Sequence, residues 1–343
     1  MVRRLIAACL VCAAVATYAG SATAAESSRG TGAIDASRTG RSGSDGFALY
    51  GAGWSFTFSS YYVYYPHIIM FDDGGKETAN LGFPSDKELY YQPSPFAVSD
   101  GYIFQSDTFH AAIFAWPIGG SGVAYSIPET KTVQSMAVDG SGDLYVLTGS
   151  SEVAVYQPGV AQPSRTIAAG IHGARVIAVD GLGYLYAGGQ SRVSVYASGS
   201  STPTEIIKQG VSGVVGMAIG GKERLYVANG GTNAVTAYTF GKRIPDETIT
   251  AGLGTVGPIA VGPTGTLYAV AGVGAIAEYD KGGTTLSRTA VVSRCCSGNI
   301  VVDPNDTLYV IAGPVYSVLS KQTKVARRYE VDRGYQLAIG PQW

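Results

Sequence analysis

Met136-Ala-Val-Asp-Gly-Ser-Gly-Asp-Leu-Tyr-Val-Leu-Thr-Gly-Ser-Ser-Glu-Val-Ala-Val-Tyr156, followed by a Pro/Gly turn and Ser164-Arg-Thr-Ile167, reads as four short strands. Met136 to Val138, Leu144 to Leu147, Val153 to Tyr156 and Arg165 to Ile167 are apolar or β-branched runs, and Gly, Ser, Asp or Pro fills each gap between them. A single unit of this kind cannot bury both its faces, so copies are expected.

The dipeptide Leu144-Tyr145 recurs as Leu185-Tyr186, Leu225-Tyr226, Leu267-Tyr268 and Leu308-Tyr309, in steps of 41, 40, 42 and 41 residues. Ile103 lies a further 41 residues upstream, with Phe96-Ala97-Val98 in the place of Met136-Ala137-Val138. Six complete units result. Four strands in a repeat of about 40 to 45 residues is the arithmetic of a β-propeller blade, and the 3.6-residue periodicity of helical repeats is absent. The expected fold is therefore all-β, a ring of four-stranded antiparallel blades.

The ends of the chain bear on the number of blades. From Phe47 the sequence is strongly aromatic, with Trp54, Phe56, Phe58, Tyr61, Tyr62, Tyr64 and Tyr65. His67 to Phe71 then reads as a third strand and Lys76 to Phe83 as a fourth, with no recognisable first strand before them. At the other end, Gln336-Leu337-Ala338-Ile339 matches the first strand of a unit and then the chain stops. Pairing this last strand with the N-terminal piece would close the ring without an open sheet edge and give seven blades. If Phe47 to Tyr65 is instead an excursion, the count is six.

Composition agrees with β structure: 47 Gly, 23 Tyr and only 14% charged residues. A net charge of −1 gives no basic surface for nucleic acid and no polybasic membrane patch. Residues 1–25 carry Arg3-Arg4, an apolar run from Leu5 to Ala16 and the small residues Ala22-Thr23-Ala24, the pattern of a secretory signal peptide. The run is too short for a membrane span, and cleavage ahead of Cys9 would leave too few apolar residues for a lipoprotein signal. Residues 26–46 are polar and Gly/Ser-rich, the composition of a flexible leader, and 47–343 form one domain. The expected product is exported, periplasmic or extracellular, and monomeric. Once the signal is removed only Cys295 and Cys296 remain, and adjacent cysteines can close only a local ring.

Within each unit the first strand carries Ala97, Ala137, Ala178, Ala218, Ala260, Val301 or Ala338, small enough for the crowded centre of a ring. Asp139, Asp180 and Asp303 open tight turns, where Asp caps the backbone. The recurrent Tyr145, Tyr186, Tyr226, Tyr268 and Tyr309 are expected to pack between neighbouring blades.

On the run Ala137 to Val146 and the strand Glu152 to Tyr156, the chain resembles the NHL-repeat, YVTN-repeat and gluconolactonase-like propeller group over residues 96–340. The matching residues are those that fold a blade. The resemblance implies calcium- or zinc-dependent lactonases, lyases or exported binding proteins. The lactonases place Glu, Asn and Asp at a metal in the central channel, whereas the first strands here carry Ala, Val, Ile, Met and Leu. The lyases use Glu and His, whereas the histidines here are His67, His110 and His172 with no paired spacing.

The loops between blades and those between strands two and three share one face of a propeller, the default binding surface. They supply the candidate ligand-binding residues His172, Arg175, Gln190, Arg192, Asn229, Asn233, Cys295, Cys296, Asn299 and Gln336. An oxidised Cys295–Cys296 pair would make a rigid platform there. The expected function is non-catalytic binding of a protein, peptide or glycan through this face, without cofactor or metal. The alternative is a metal-dependent lactonase or related hydrolase or lyase.

Overall fold

The computed structural model describes residues 47–58, 62–71, 77–82, 95–108, 110–129, 131–220, 224–292, 298–311, 315–319, 327–329 and 334–341. The signal-peptide and leader readings, Cys295 and Cys296 lie outside the described residues. Every described element is a strand, and each sheet is four-stranded and antiparallel. Among the described residues no helix is long and apolar enough to cross a membrane.

Sheet I holds β1 (Phe47–Phe58), β2 (Tyr62–Phe71) and β3 (Glu77–Gly82). Sheet II is β4 (Phe96–Val98), β5 (Tyr102–Asp107), β6 (Ala112–Pro117) and β7 (Tyr125–Pro128). Sheet III is β8 (Val133–Val138), β9 (Leu144–Thr148), β10 (Glu152–Tyr156) and β11 (Arg165–Ile167), the stretch whose pattern defines the repeat. Sheet IV is β12 (Ala174–Val179), β13 (Leu185–Gly189), β14 (Val193–Tyr196) and β15 (Glu205–Ile207). Sheet V follows with β16 (Val214–Gly220), β17 (Arg224–Asn229), β18 (Ala234–Thr239) and β19 (Glu247–Ile249). Sheet VI is β20 (Val256–Val261), β21 (Leu267–Ala271), β22 (Ala275–Tyr279) and β23 (Arg288–Val291). Sheet VII is β24 (Ile300–Val302), β25 (Thr307–Ile311), β26 (Val315–Leu319) and β27 (Arg327–Tyr329). The last strand, β28 (Gly334–Pro341), pairs antiparallel with β1, with Tyr50 opposite Ala338 and Gly51 opposite Leu337.

Apolar side chains on these strands pack between sheets, which is why isolated units would not be stable. Tyr145 joins Ala174, Ile177 and Leu185 of the following sheet. Tyr186 joins Met217 and Leu225, Tyr226 joins Ile259 and Leu267, and Tyr268 joins Ile300 and Leu308. Tyr309 packs with Leu49 and Leu337. In sheets III to VII the recurrent tyrosine thus bridges one sheet to the next, as expected.

Two further devices recur. In the first, an Asp directly after the first strand of a sheet organises the following turn. Asp139 Oδ1 accepts from the Ser141 and Asp143 amides at 2.9 and 3.0 Å, and Asp303 Oδ1 accepts from Asn305 and Thr307, both at 2.8 Å. The second carboxylate oxygen accepts from the recurrent tyrosine hydroxyl, Tyr145 at 3.2 Å and Tyr309 at 2.9 Å. One side chain thereby satisfies two turn amides and a buried phenol. In the second, a tyrosine ending the third strand fixes the loop that leads into its own sheet. Tyr196 donates to the Ala169 carbonyl at 2.6 Å and Tyr238 to that of Gln209 at 2.7 Å. The next residue is a glycine at positive φ, Gly170 or Gly210, packed so closely that a Cβ would lie 2.9 or 2.8 Å from the hydroxyl.

Three of the first strands, β8, β12 and β16, start earlier than their apolar runs and carry a bulge. The register of β8 with β9 shifts between Val133 and Ser135, that of β12 with β13 between Ala174 and Val176, and that of β16 with β17 between Val214 and Gly216. A bulge re-aims one side chain at a strand end. Here those residues are Gln134, Arg175 and Val215.

Candidate functional site

Antiparallel order places the loops between sheets and the loops joining strands two and three at the same end. In sheets III to V these loops are bonded to one another through their backbones. Gly149 donates to Thr132 O at 3.0 Å and Gly173 to Ser150 O at 2.9 Å. Gly213 donates to Gln190 O at 2.6 Å, and Gly230 to Gly213 O at 2.8 Å. Each loop is thereby tied to the next, giving a rim whose shape exists before anything binds.

In this rim the loop 168–173 and the loop 190–192 enclose a cleft of about 240 Å³ lined by His172, Gln190 and Arg192. His172 and Gln190 are exposed, and an Arg192 Nη atom donates to the His172 carbonyl at 3.3 Å. Arg175 is exposed on the bulge of β12, next to Ala174 in the cleft wall. The structure therefore gathers three of the sequence candidates, His172, Gln190 and Arg192, at one cleft, with Arg175 on the adjoining strand. The group they form is donor-rich and cationic, suited to a carboxylate held by forked N–H donors.

The other candidates are placed differently. Asn229 is fully buried. Its Oδ1 accepts from the Ser212 amide at 2.8 Å, and its Nδ2 donates to Val227 O and to the Thr236 hydroxyl. Asn299 is buried as well, and clasps Leu337 of β28 by two bonds of 2.8 Å, one to the amide and one from Nδ2 to the carbonyl. Both amides serve the packing of the fold and offer nothing to a ligand. Their polarity comes from strand ends that a neighbouring segment covers, which spacing alone does not reveal. Asn233 stays exposed at φ 51° and accepts from the Val256 amide at 3.4 Å, so it shapes the rim. Gln336 lies on β28 opposite Ala52.

A second polar group at this end was not singled out by spacing. Asp107 ends β5, and its Oδ2 lies 2.6 Å from Nδ1 of His110 in the following turn. Glu129, directly after β7, has its carboxyl pushed up to about 7 by burial, with the charge of Asp107 adding to the effect and the Ser106 hydroxyl opposing it. The Asp-x-x-His spacing across a hairpin was the available signal. Ser106 is 1% exposed, too enclosed to act as a nucleophile on an external substrate. Among the described residues no three His, Cys, Asp or Glu side chains are grouped to hold a metal ion.

No family model matches the chain, and no curated protein gives a significant match.

Proposed function

We propose that the chain is an exported seven-bladed β-propeller whose loop face binds a carboxylate-bearing protein, peptide or glycan without transforming it. The observation that carries this reading is the bonded rim of loops around His172, Gln190 and Arg192, with the exposed Arg175 on the adjoining strand β12. Preformed loops lower the ordering cost of binding, and guanidinium groups supply paired donors to a carboxylate.

The ring is supported by the neighbour relations of the innermost strands. β4 lies beside β8, β8 beside β12, β12 beside β16, β16 beside β20 and β20 beside β24, while β28 lies beside both β24 and β4. That order returns to its start after seven sheets. Export rests on the composition of residues 1–25.

Binding of polygalacturonate and of poly-glutamate, measured by calorimetry on the mature protein, tests the function. Arg175→Ala with Arg192→Ala is expected to weaken binding of one of these probes about tenfold or more without moving the unfolding midpoint. Unchanged affinity in that double variant, or turnover of a lactone substrate by the parent protein, would overturn it.

A further inference from the structure

The strongest unassigned feature lies at the opposite end of the sheets, where the turns between strands one and two meet those between strands three and four. Two of the sheets, III and V, there share an arrangement built on the recurrent tyrosine. In sheet III, Arg165 at the start of β11 sits over the ring of Tyr145, 5.8 Å from its centroid, and donates to its hydroxyl at 3.2 Å. In sheet V, Arg224, immediately before Leu225-Tyr226, sits 5.6 Å over the Tyr226 ring and pairs at 2.7 Å with Glu247, the first residue of β19. In both, a guanidinium covers the tyrosine face.

Sheet IV keeps two of the three parts found in sheet V. Tyr186 is the recurrent tyrosine, and Glu205, first residue of β15, holds the register position of Glu247. The arginine is missing. Its position, immediately before Leu185-Tyr186, is taken by the partly exposed Tyr184. Beside Tyr186, the junction of sheets IV and V has a cavity of about 330 Å³, lined by Tyr184, Tyr186, Tyr238, Phe240 and Glu205 among others. The Phe240 ring lies 5.5 Å from that of Tyr186. Glu205 Oε1 is buried without a hydrogen bond. Arg243 Nε lies 3.4 Å from it on a side chain that is 67% exposed, and Lys242, which also lines the cavity, is paired with Asp246. Burial and the charge of Asp180, with a smaller contribution from Glu205, hold the Tyr186 hydroxyl well above the ordinary tyrosine range.

We propose that this cavity is a binding site for a guanidinium group supplied from outside the chain, stacked on Tyr186 and paired with Glu205. The aromatic walls match the flat face of a guanidinium, and an unbonded buried carboxylate oxygen matches its N–H fork. Arg243 is the internal competitor, reaching toward Glu205 from the turn after β18.

The test is calorimetric titration of the whole chain with ethylguanidinium and with N-acetyl-arginine amide. Binding of either probe is expected, weakened about tenfold or more by Glu205→Gln, because the charge-assisted bonds are lost. Tyr184→Arg installs the residue that sheet V has at this position and is expected to abolish binding by filling the cavity. Arg243→Ala is expected to tighten it. Stronger binding of N-acetyl-arginine amide than of ethylguanidinium would assign the site to a peptide arginine, and equal binding to a free guanidine. Absence of binding in both the parent and Arg243→Ala proteins, or equal binding by Glu205→Gln, would overturn the proposal. If Tyr184→Arg does not fold, the Glu205→Gln comparison decides.

Discussion

Glu129 sits where sheet II hands over to sheet III, and its raised carboxyl makes stability depend on pH. Unfolded, this side chain titrates near its ordinary value of 4.5; folded, it keeps its proton up to about 7, because burial disfavours the charged form. The folded state therefore binds more protons between those values, and the stability contributed by the neutral form is lost as pH rises from about 4.5 to about 7. Glu129→Gln keeps the shape and removes the titration. The variant is expected to unfold at higher urea than the parent at pH 8 and at nearly the same urea at pH 4; equal midpoints at pH 8 would show that the carboxyl is solvated. Gly210 gives a separate test of local geometry. It has φ 77° and an approach to the Tyr238 hydroxyl that leaves 2.8 Å for a Cβ, whereas Gly119, at φ 82°, has nothing within 4 Å. Gly119→Ala carries only the backbone penalty, about 1–2 kcal/mol. Gly210→Ala also displaces a bonded hydroxyl, so it is expected to lose more, about 2–4 kcal/mol in urea unfolding. Equal losses would mean that Tyr238 yields freely.

Neighbouring sheets are linked at two places by side chains as well as by packing. Ser135 Oγ accepts from the Ile177 amide of the next sheet at 3.2 Å, and Asn299 bonds both backbone groups of Leu337. Ser135 and Asn299 each stand two residues before the repeated Ala137 or Val301, and Ile177 and Leu337 each precede Ala178 or Ala338. They are the same contact between successive sheets. Asn299→Ala would leave a buried amide and a buried carbonyl of β28 without partners, expected to cost about 2–4 kcal/mol. A midpoint unchanged in thermal unfolding would show that water replaces the amide. The strands themselves were legible because a four-strand repeat writes itself into the spacing of Leu-Tyr and of Ala-Val. The bulges at Gln134, Arg175 and Val215 were not, since one inserted residue leaves no compositional mark. Site residues were legible only where exposure follows from loop position, as for His172 and Gln190. Asn229 and Asn299 have the same polarity and similar spacing, yet a neighbouring segment covers them, and that covering depends on contacts far apart in sequence.

If the seven sheets form a ring, β28 has a role no other strand shares. It is the innermost strand of a sheet whose other three strands come from the opposite end of the sequence, pairing with β1 while its Leu337 is fully buried beside Leu49, Val301 and Tyr309. In a linear array, losing a terminal strand would loosen only the last sheet, because each unit touches only its neighbours. In a ring, the same loss opens the sheet-I ladder, strands Asn299 and separates β24 from β4 on both sides of the gap. Removing residues 334–343 therefore discards the burial of Leu337, two side-chain bonds to its backbone and one full strand pairing, a loss on the order of 5 kcal/mol or more. For a domain of this size that corresponds to a fall in the unfolding midpoint of about 10 °C or more. The fall is expected as a single shifted transition, with amide exchange accelerated in β4 and β24 alike. A low-temperature transition confined to β1–β3, with exchange in β4 unchanged, would instead show that the sheets form an open array.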